Sequence, residues 1–336
     1  MSGAPTWRRD TLDALLARFD ARVAAAPAAG LPADVAQRSG GDHDYHVIFG
    51  CIIHGDEVGS LPAAVAVLEA LDQGALRFGG RLSVVLGNRP AALANRRFLE
   101  ADLNRVFLPD APDSWEARRA AALIPLLDTA DLFLDLHQTI EPTASAFAIF
   151  PWSPEGEHWV RALNAAPRWV TRPPGVNFSP GLRCADEHVR LRGASGVTVE
   201  LGQKGFDPEA AALAERLMRE ALRIADRLGR GEQTLAEAAE GQPSPIAYEP
   251  DSHVAFIDPT MALRPGLQNL APVRRGELLS AEGSPEIRSP ADGALLFPKY
   301  PLRDAAGRAL GPLPAELVRV VRPLPQGPAA AYAPPK

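Results

Sequence analysis

The chain has 336 residues, 46% hydrophobic and 23% charged, enough for two domains or one large one with a sizeable buried core. A formal net charge of -6 argues against nucleic acid or an anionic membrane as partner. Two cysteines make no disulfide framework, and no leader-like segment or run of ~18 apolar residues occurs, so a soluble, cytoplasmic protein is expected.

Leu12, Leu15, Leu16, Phe19 and Val23 recur at helical spacing and predict an amphipathic helix over 10–25. After a Pro/Ala/Gly loop, the apolar run 45–53 predicts a buried strand. Helix and strand then alternate: helices over 61–71, 115–127 and 208–228, strands over 82–86, 132–136, 146–150 and 196–201. The last helix is punctuated by Asp207 as cap, Pro208 in its first turn and Gly229 at its end. This alternation predicts an α/β domain over 1–240, a mixed, largely parallel sheet flanked by helices. Past residue 240 helical periodicity stops, and short apolar pieces alternate with Pro/Gly turns. They predict a small all-β domain, a barrel or sandwich, over 241–325. Residues 326–336 lack a core pattern and are expected to be disordered.

In open α/β sheets, ligands bind beyond the carboxyl ends of the strands. The run at 45–53 ends at His54, with Glu57 three residues on; the strand DLFLDLH ends at His137; the strand VTVE ends at Glu200. Two histidines and a carboxylate suit a catalytic zinc, which takes three protein ligands and keeps one position open. Gly55 would permit the turn that brings His54 and Glu57 to one point, and His137 would supply the third ligand. Glu200 is then the candidate general base. Asp135, on the same strand face as His137, could orient an imidazole. A lone HxxE is weak evidence, and a strand-end histidine is more often structural; the coincidence of these three strand ends is what favours metal. The other five histidines, His43, His46, His158, His188 and His253, read as structural or surface residues.

After the second strand, NRRFLEADLNRVF packs Arg96, Arg97, Asn104 and Arg105 together. As a solvated loop this would mean little. Beside a metal, arginine's planar fork and an asparagine donor would bind a carboxylate, and one arginine could stabilise an oxyanion. Asp102 could fix one arginine, and Arg190 and Arg192 are weaker candidates for a second anionic group.

Taken together, HGDEVG (54–59), the GN…R…DLNRVF block (87–107), DLH (135–137), VELG (199–202), RPGLQNLAPVRRGELL (264–279) and SPADGALLFPKY (289–300) resemble the succinylglutamate desuccinylase/aspartoacylase family of zinc carboxypeptidase-like hydrolases. The resemblance implies a carboxypeptidase-like α/β domain with an appended β domain that narrows access, and hydrolysis of a small-molecule N-acyl amino acid. It implies one zinc per chain held by His54, Glu57 and His137, and Glu200 as general base. It further implies Arg97 polarising the scissile carbonyl, Asn104 and Arg105 clamping the substrate carboxylate, and Arg190 and Tyr300 as further substrate contacts.

The run after His137, Gln138-Thr139-Ile140-Glu141, departs from the family's well-defined branches. Glu141 in place of a basic residue suggests a different acyl group or a cationic amino-acid part. A zinc carboxypeptidase acting on a peptide C-terminus is the alternative activity; the short gap between Glu57 and His137 and the appended β module favour the small-molecule branch by analogy. The segment 274–296 also resembles a biotinyl or lipoyl carrier, but no lysine lies between Lys204 and Lys299 to be modified.

Overall fold

Largely apolar runs become strands covered on both faces. The computed structural model describes residues 5–27, 29–176, 181–310 and 313–333. Helix α1 (Arg9–Ala25) turns Leu12, Leu15, Leu16 and Phe19 inward. Strand β1 (Val35–Ser39) precedes β2 (His46–Cys51), every residue of which is buried. There follow α2 (Leu61–Asp72), β3 (Arg81–Leu86), the short α3 (Arg89–Leu93), α4 (Trp115–Leu127) and β4 (Leu132–Thr139), again buried throughout. Strand β5 (Phe147–Ile149), α5 (Pro154–Ala162), β6 (Arg168–Val170), α6 (Ala185–Leu191) and β7 (Ser195–Gln203) complete the central part. The long α7 (Pro208–Gly229) has Asp207 accepting from Glu209 N as its cap, and α8 (Leu235–Ala239) follows.

Beyond residue 240 come β8 (Ile246–Ala255), β9 (Pro272–Val273), β10 (Gly293–Leu296), β11 (Glu316–Pro323) and α9 (Gly327–Tyr332). The strands join into one sheet in the order β1-β3-β2-β4-β7-β5-β6-β8-β11-β10-β9. Its middle, β3-β2-β4-β7, is parallel, as expected of strands joined through helices. The C-terminal part is all-β, with its own core around Leu279, Leu295 and Leu317. Its strands are not a sheet apart from the rest. They extend the main sheet, because β8 pairs in parallel with β6.

The expected disordered tail is also corrected. Residues 327–332 form α9, and Tyr332 packs near Trp152 and donates from its hydroxyl to Glu249 at 2.5 Å. Residues 334–336 lie outside the described residues. Among the described residues no helix is long and apolar enough to cross a membrane.

Two large apolar clusters cover the sheet, one with α1, α2 and α7 and one with α4 and α6. They leave no slack at β2. A Cβ on Gly50 would come within 2.6 Å of Asp135 Oδ1 and 2.7 Å of Phe133 Cζ. Gly50→Ala should therefore cost about 1–3 kcal/mol by overpacking, read as a lower denaturation midpoint in urea; an unchanged midpoint would contradict this packing.

Candidate metal centre and active site

The parallel register of the central strands assembles the site. His137 on β4 lies directly opposite Glu200 on β7, and Asp135 lies opposite Thr198. Alternation along a strand puts residues two apart on one face, so Asp135 and His137 share a side. At the end of β2 the chain turns at Ile52, which holds a left-handed φ of 53°. Gly55, expected to allow the turn, is not in that region. It is needed for close approach, since a Cβ there would lie 2.4 Å from the Ala91 and Ala92 backbone.

His54, Glu57 and His137 offer ligand atoms that all lie within 4.8 Å of one another, and all three are buried. His54 Nδ1 is 2.8 Å from Glu57 Oε1, His137 Nδ1 is 2.8 Å from Glu57 Oε2, and the two Nδ1 atoms are 3.2 Å apart. The outer nitrogens are engaged elsewhere: His137 Nε2 with Asp135 Oδ2 at 2.9 Å and His54 Nε2 with Asp102 Oδ1 at 3.0 Å. A carboxylate only accepts, so Asp135 draws a proton to His137 Nε2, whereas His54 Nε2 stands between the Asp102 acceptor and the Arg97 Nη2 donor at 2.8 Å. Two Nδ1 atoms and a carboxylate are thus turned on one point, with the outer partners in the arrangement typical of metal-bound histidine.

Charge balance points the same way. Burial pushes Glu57 up, but the two imidazoles outweigh it and hold the carboxyl well below its usual range. Burial pushes His137 down, but Asp135 and Glu57 outweigh that and hold it well above its usual value. The cluster calls for positive charge, which a divalent cation would supply in place of protons. The residues therefore fit a metal ion.

Glu200 is buried, and its Oε2 has no hydrogen-bond partner. Burial, then the Glu57 charge, pushes its carboxyl up to about 7. Arg97 donates from Nη1 to Glu57 Oε1 at 3.0 Å, with Nη2 3.4 Å from Asp102 Oδ2, so Asp102 touches both an imidazole and this arginine. Asn104 accepts from Ala185 N at 2.9 Å, and its amide nitrogen lies 3.3 Å from His137 Nε2. Arg105 donates to Asn104 O at 2.6 Å and approaches Cys184 Sγ at 3.4 Å. All seven of these side chains, the three metal-ligand candidates with Glu200, Arg97, Asn104 and Arg105, line one cavity of about 340 Å³.

The two remaining expected contacts lie elsewhere. Arg190 donates to Asp186 Oδ2 at 2.6 Å and Gly196 O at 2.9 Å and stacks over Phe150. Its helix turns it into the packing beside β7. Tyr300 donates to Arg264 O at 2.8 Å and accepts from Leu267 N at 3.2 Å, which commits it to the β module. The cavity wall instead holds Arg172, Asn269, Lys299 and Arg319, none of which sequence spacing singled out. Glu141 lies on the wall too. Burial pushes its carboxyl up; Lys204 opposes this but is itself bound to Asp56 at 2.6 Å. Among the other histidines, His46 bonds Ser83 and Thr129, His43 bonds Asp226 and His188 bonds Asp128, all structural contacts.

Residues 45–225 match the family described as the succinylglutamate desuccinylase/aspartoacylase catalytic domain. The chain belongs to this family. It is 30% identical over 196 residues to a succinylglutamate desuccinylase of Pseudomonas paraeruginosa, covering 53% of this chain and 57% of that enzyme. It is 40% identical over 107 residues to one of Burkholderia lata, covering 31% and 28%. The chain thus spans from about a quarter to just over half the length of these relatives. Among solved structures of the same fold, succinylglutamate desuccinylase of Vibrio parahaemolyticus superposes with a TM-score of 0.63 at 19% identity over 86% of both chains. Murine aminoacylase 3 superposes with 0.59 at 19% identity over 83% of this chain and 95% of that one. These two likenesses concern architecture: the family's mixed sheet is present here with its flanking helices.

Metal analysis checks the centre. The purified protein should carry about one divalent ion per chain. His54→Ala should abolish stoichiometric loading, and Asp135→Ala should weaken affinity about 10–100-fold. Full loading of His54→Ala would remove it as a ligand.

Proposed function

We propose that the protein is a zinc-dependent hydrolase that cleaves the amide bond of an N-acyl amino acid. The observation that carries this reading is Glu200: a buried carboxylate with an unpartnered oxygen, paired in register with His137 and so beside the candidate ligand cluster. A zinc ion held by His54, Glu57 and His137 would polarise the amide carbonyl and make water acidic enough to attack near neutral pH.

The chain's own residues account for the rest. Glu200 accepts the proton of the attacking water at its carboxylate oxygen and delivers it to the leaving nitrogen. Its surroundings suit that exchange, because a carboxyl raised to about 7 takes and returns a proton near neutral pH. Arg97, 3.0 Å from Glu57, brings a fixed positive charge to the edge of the reaction centre, where negative charge develops on the carbonyl oxygen. Asp102 holds both His54 and Arg97, so the ligand and the charge keep a constant relation. Arg105, which lines the cavity and donates to the Asn104 carbonyl, and the amide of Asn104 offer donors for a substrate carboxylate. Glu141 on the wall disfavours a second acidic group on its side and supports an N-acyl amino acid other than an acidic one.

A panel of N-acetyl-, N-formyl- and N-succinyl-amino acids and C-terminal peptides tests the reading. Turnover of N-acyl amino acids is expected; turnover of peptides alone would replace it with a carboxypeptidase. Glu200→Gln should keep its metal and lose about 10²–10⁴ in kcat. Glu200 acts in its deprotonated form, so kcat/KM should rise with pH, reach half its plateau at about 7 and level off above that. A bound cation would draw this pKa down, so the limb belongs at or below that value. An acid limb well above 7, or full activity of Glu200→Gln, would remove Glu200 as the base.

A further inference from the structure

The β module reaches the cavity through a short run, Phe297-Pro298-Lys299, and all three residues line the wall. What aims this run is Asn269, a residue of the same module that is 1% exposed. Its Oδ1 accepts from Phe297 N at 2.7 Å. Its Nδ2 donates to Glu141 O at 3.1 Å and Pro142 O at 3.2 Å. Its own backbone pairs with the same loop, with Asn269 N donating to Pro142 O at 2.8 Å and Ala144 N to Asn269 O at 3.0 Å. One side chain therefore ties the 141–144 loop of the α/β part to the 297–299 run of the β part. The run is not in a relaxed conformation: Phe297 has a φ of 50°, a region that is costly for a bulky side chain and that persists where surrounding contacts fix it.

Lys299 is the charged end of this run. Its ammonium lies 3.5 Å from Glu316 Oε1, a loose contact, while Arg319 holds Glu316 at 2.8 Å. Glu316 is thus already served by a closer cation. Burial pushes the Lys299 ammonium down and Glu316 pulls it back, with the Arg319 and Arg105 charges adding to the downward push. Two like charges from different parts of the chain, Arg105 and Lys299, are brought to the wall of one cavity, where an anion between them would relieve their repulsion.

We infer that Asn269 is a positioning residue for substrate recognition, holding Phe297-Pro298-Lys299 so that Lys299 and Arg105 together bind the carboxylate of the substrate. This rests on the hydrolase reading for the identity of the substrate, but the carboxylate contact can be read without turnover. The contact is a point charge on a flexible stem, so it depends on where the run aims it.

The test measures binding of succinate to the metal-loaded protein by calorimetry, alongside KM and kcat for the best N-acyl amino acid and for its carboxamide counterpart. Lys299→Met should weaken succinate about tenfold and raise KM about tenfold for the acid, leaving kcat and the carboxamide little changed. Lys299→Arg should recover most of the loss. Asn269→Ala should reproduce the Lys299→Met pattern with metal content intact, and the double variant should be no worse than the more severe single one, because both act through one contact. If Asn269→Ala does not fold, Asn269→Asp serves instead. It keeps the acceptor for Phe297 N and loses the donors to the 141–144 loop, and the same shift in succinate affinity is expected. Unchanged succinate affinity in Lys299→Met, or additive losses in the double variant, would overturn the inference. Absence of any N-acyl amino acid turnover with succinate binding still sensitive to Lys299 would overturn the hydrolase reading alone.

Discussion

Everything at this site depends on the way two imidazoles are held. His54 and His137 each give their outer nitrogen to an aspartate, Asp102 and Asp135, and so present the inner nitrogen to Glu57. The aspartates sit in different elements, one in the loop after α3 and one within β4, so neither ring can rotate without breaking a bond to its own support. The convergence is built into the fold itself, so ordering these side chains around a metal ion would cost little. The same aspartate that orients His54 also touches Arg97, which links the ligand set to the arginine segment.

That segment has a second support. Glu116 on α4 is fully buried and accepts from Leu99 N at 2.6 Å, Glu100 N at 3.1 Å, Ala101 N at 3.0 Å and Asn88 Nδ2 at 3.0 Å. Burial pushes its carboxyl up, but these donors outweigh that and keep it below its usual range. A charged group buried this way is stable because every lone pair is used. It fixes the backbone immediately before Asp102, Asn104 and Arg105.

The central sheet was legible in the sequence because its strands are covered on both faces and read as largely apolar runs; β2 and β4 are of this kind. The ligand cluster was legible because its members stand at the ends of those runs. What was not legible came from three other physical sources. Short elements such as β6 and α6 carry too few residues for a period to register. Arg190 and Tyr300 were placed by resemblance, and their neighbours, Asp186 for one and the Arg264 carbonyl for the other, decide their direction; a pattern in one dimension does not contain those neighbours. Lys299 and Asn269 reach the cavity only because β8 docks beside β6, a pairing between segments almost eighty residues apart.

That docking bears on how a molecule gets in and out. Arg168, Trp169 and Val170 are laddered to Ile246, Ala247 and Tyr248, and the sheet runs on without interruption into β11 and β10. Swinging the two parts open like a clamshell would tear backbone hydrogen bonds in the middle of a continuous sheet. A molecule reaching the cavity would instead pass between parts held at a fixed spacing, with side-chain rotamers free to exchange on a fast timescale. The protein is built as a single walled vessel, with the α/β part and the β module locked edge to edge by one continuous sheet.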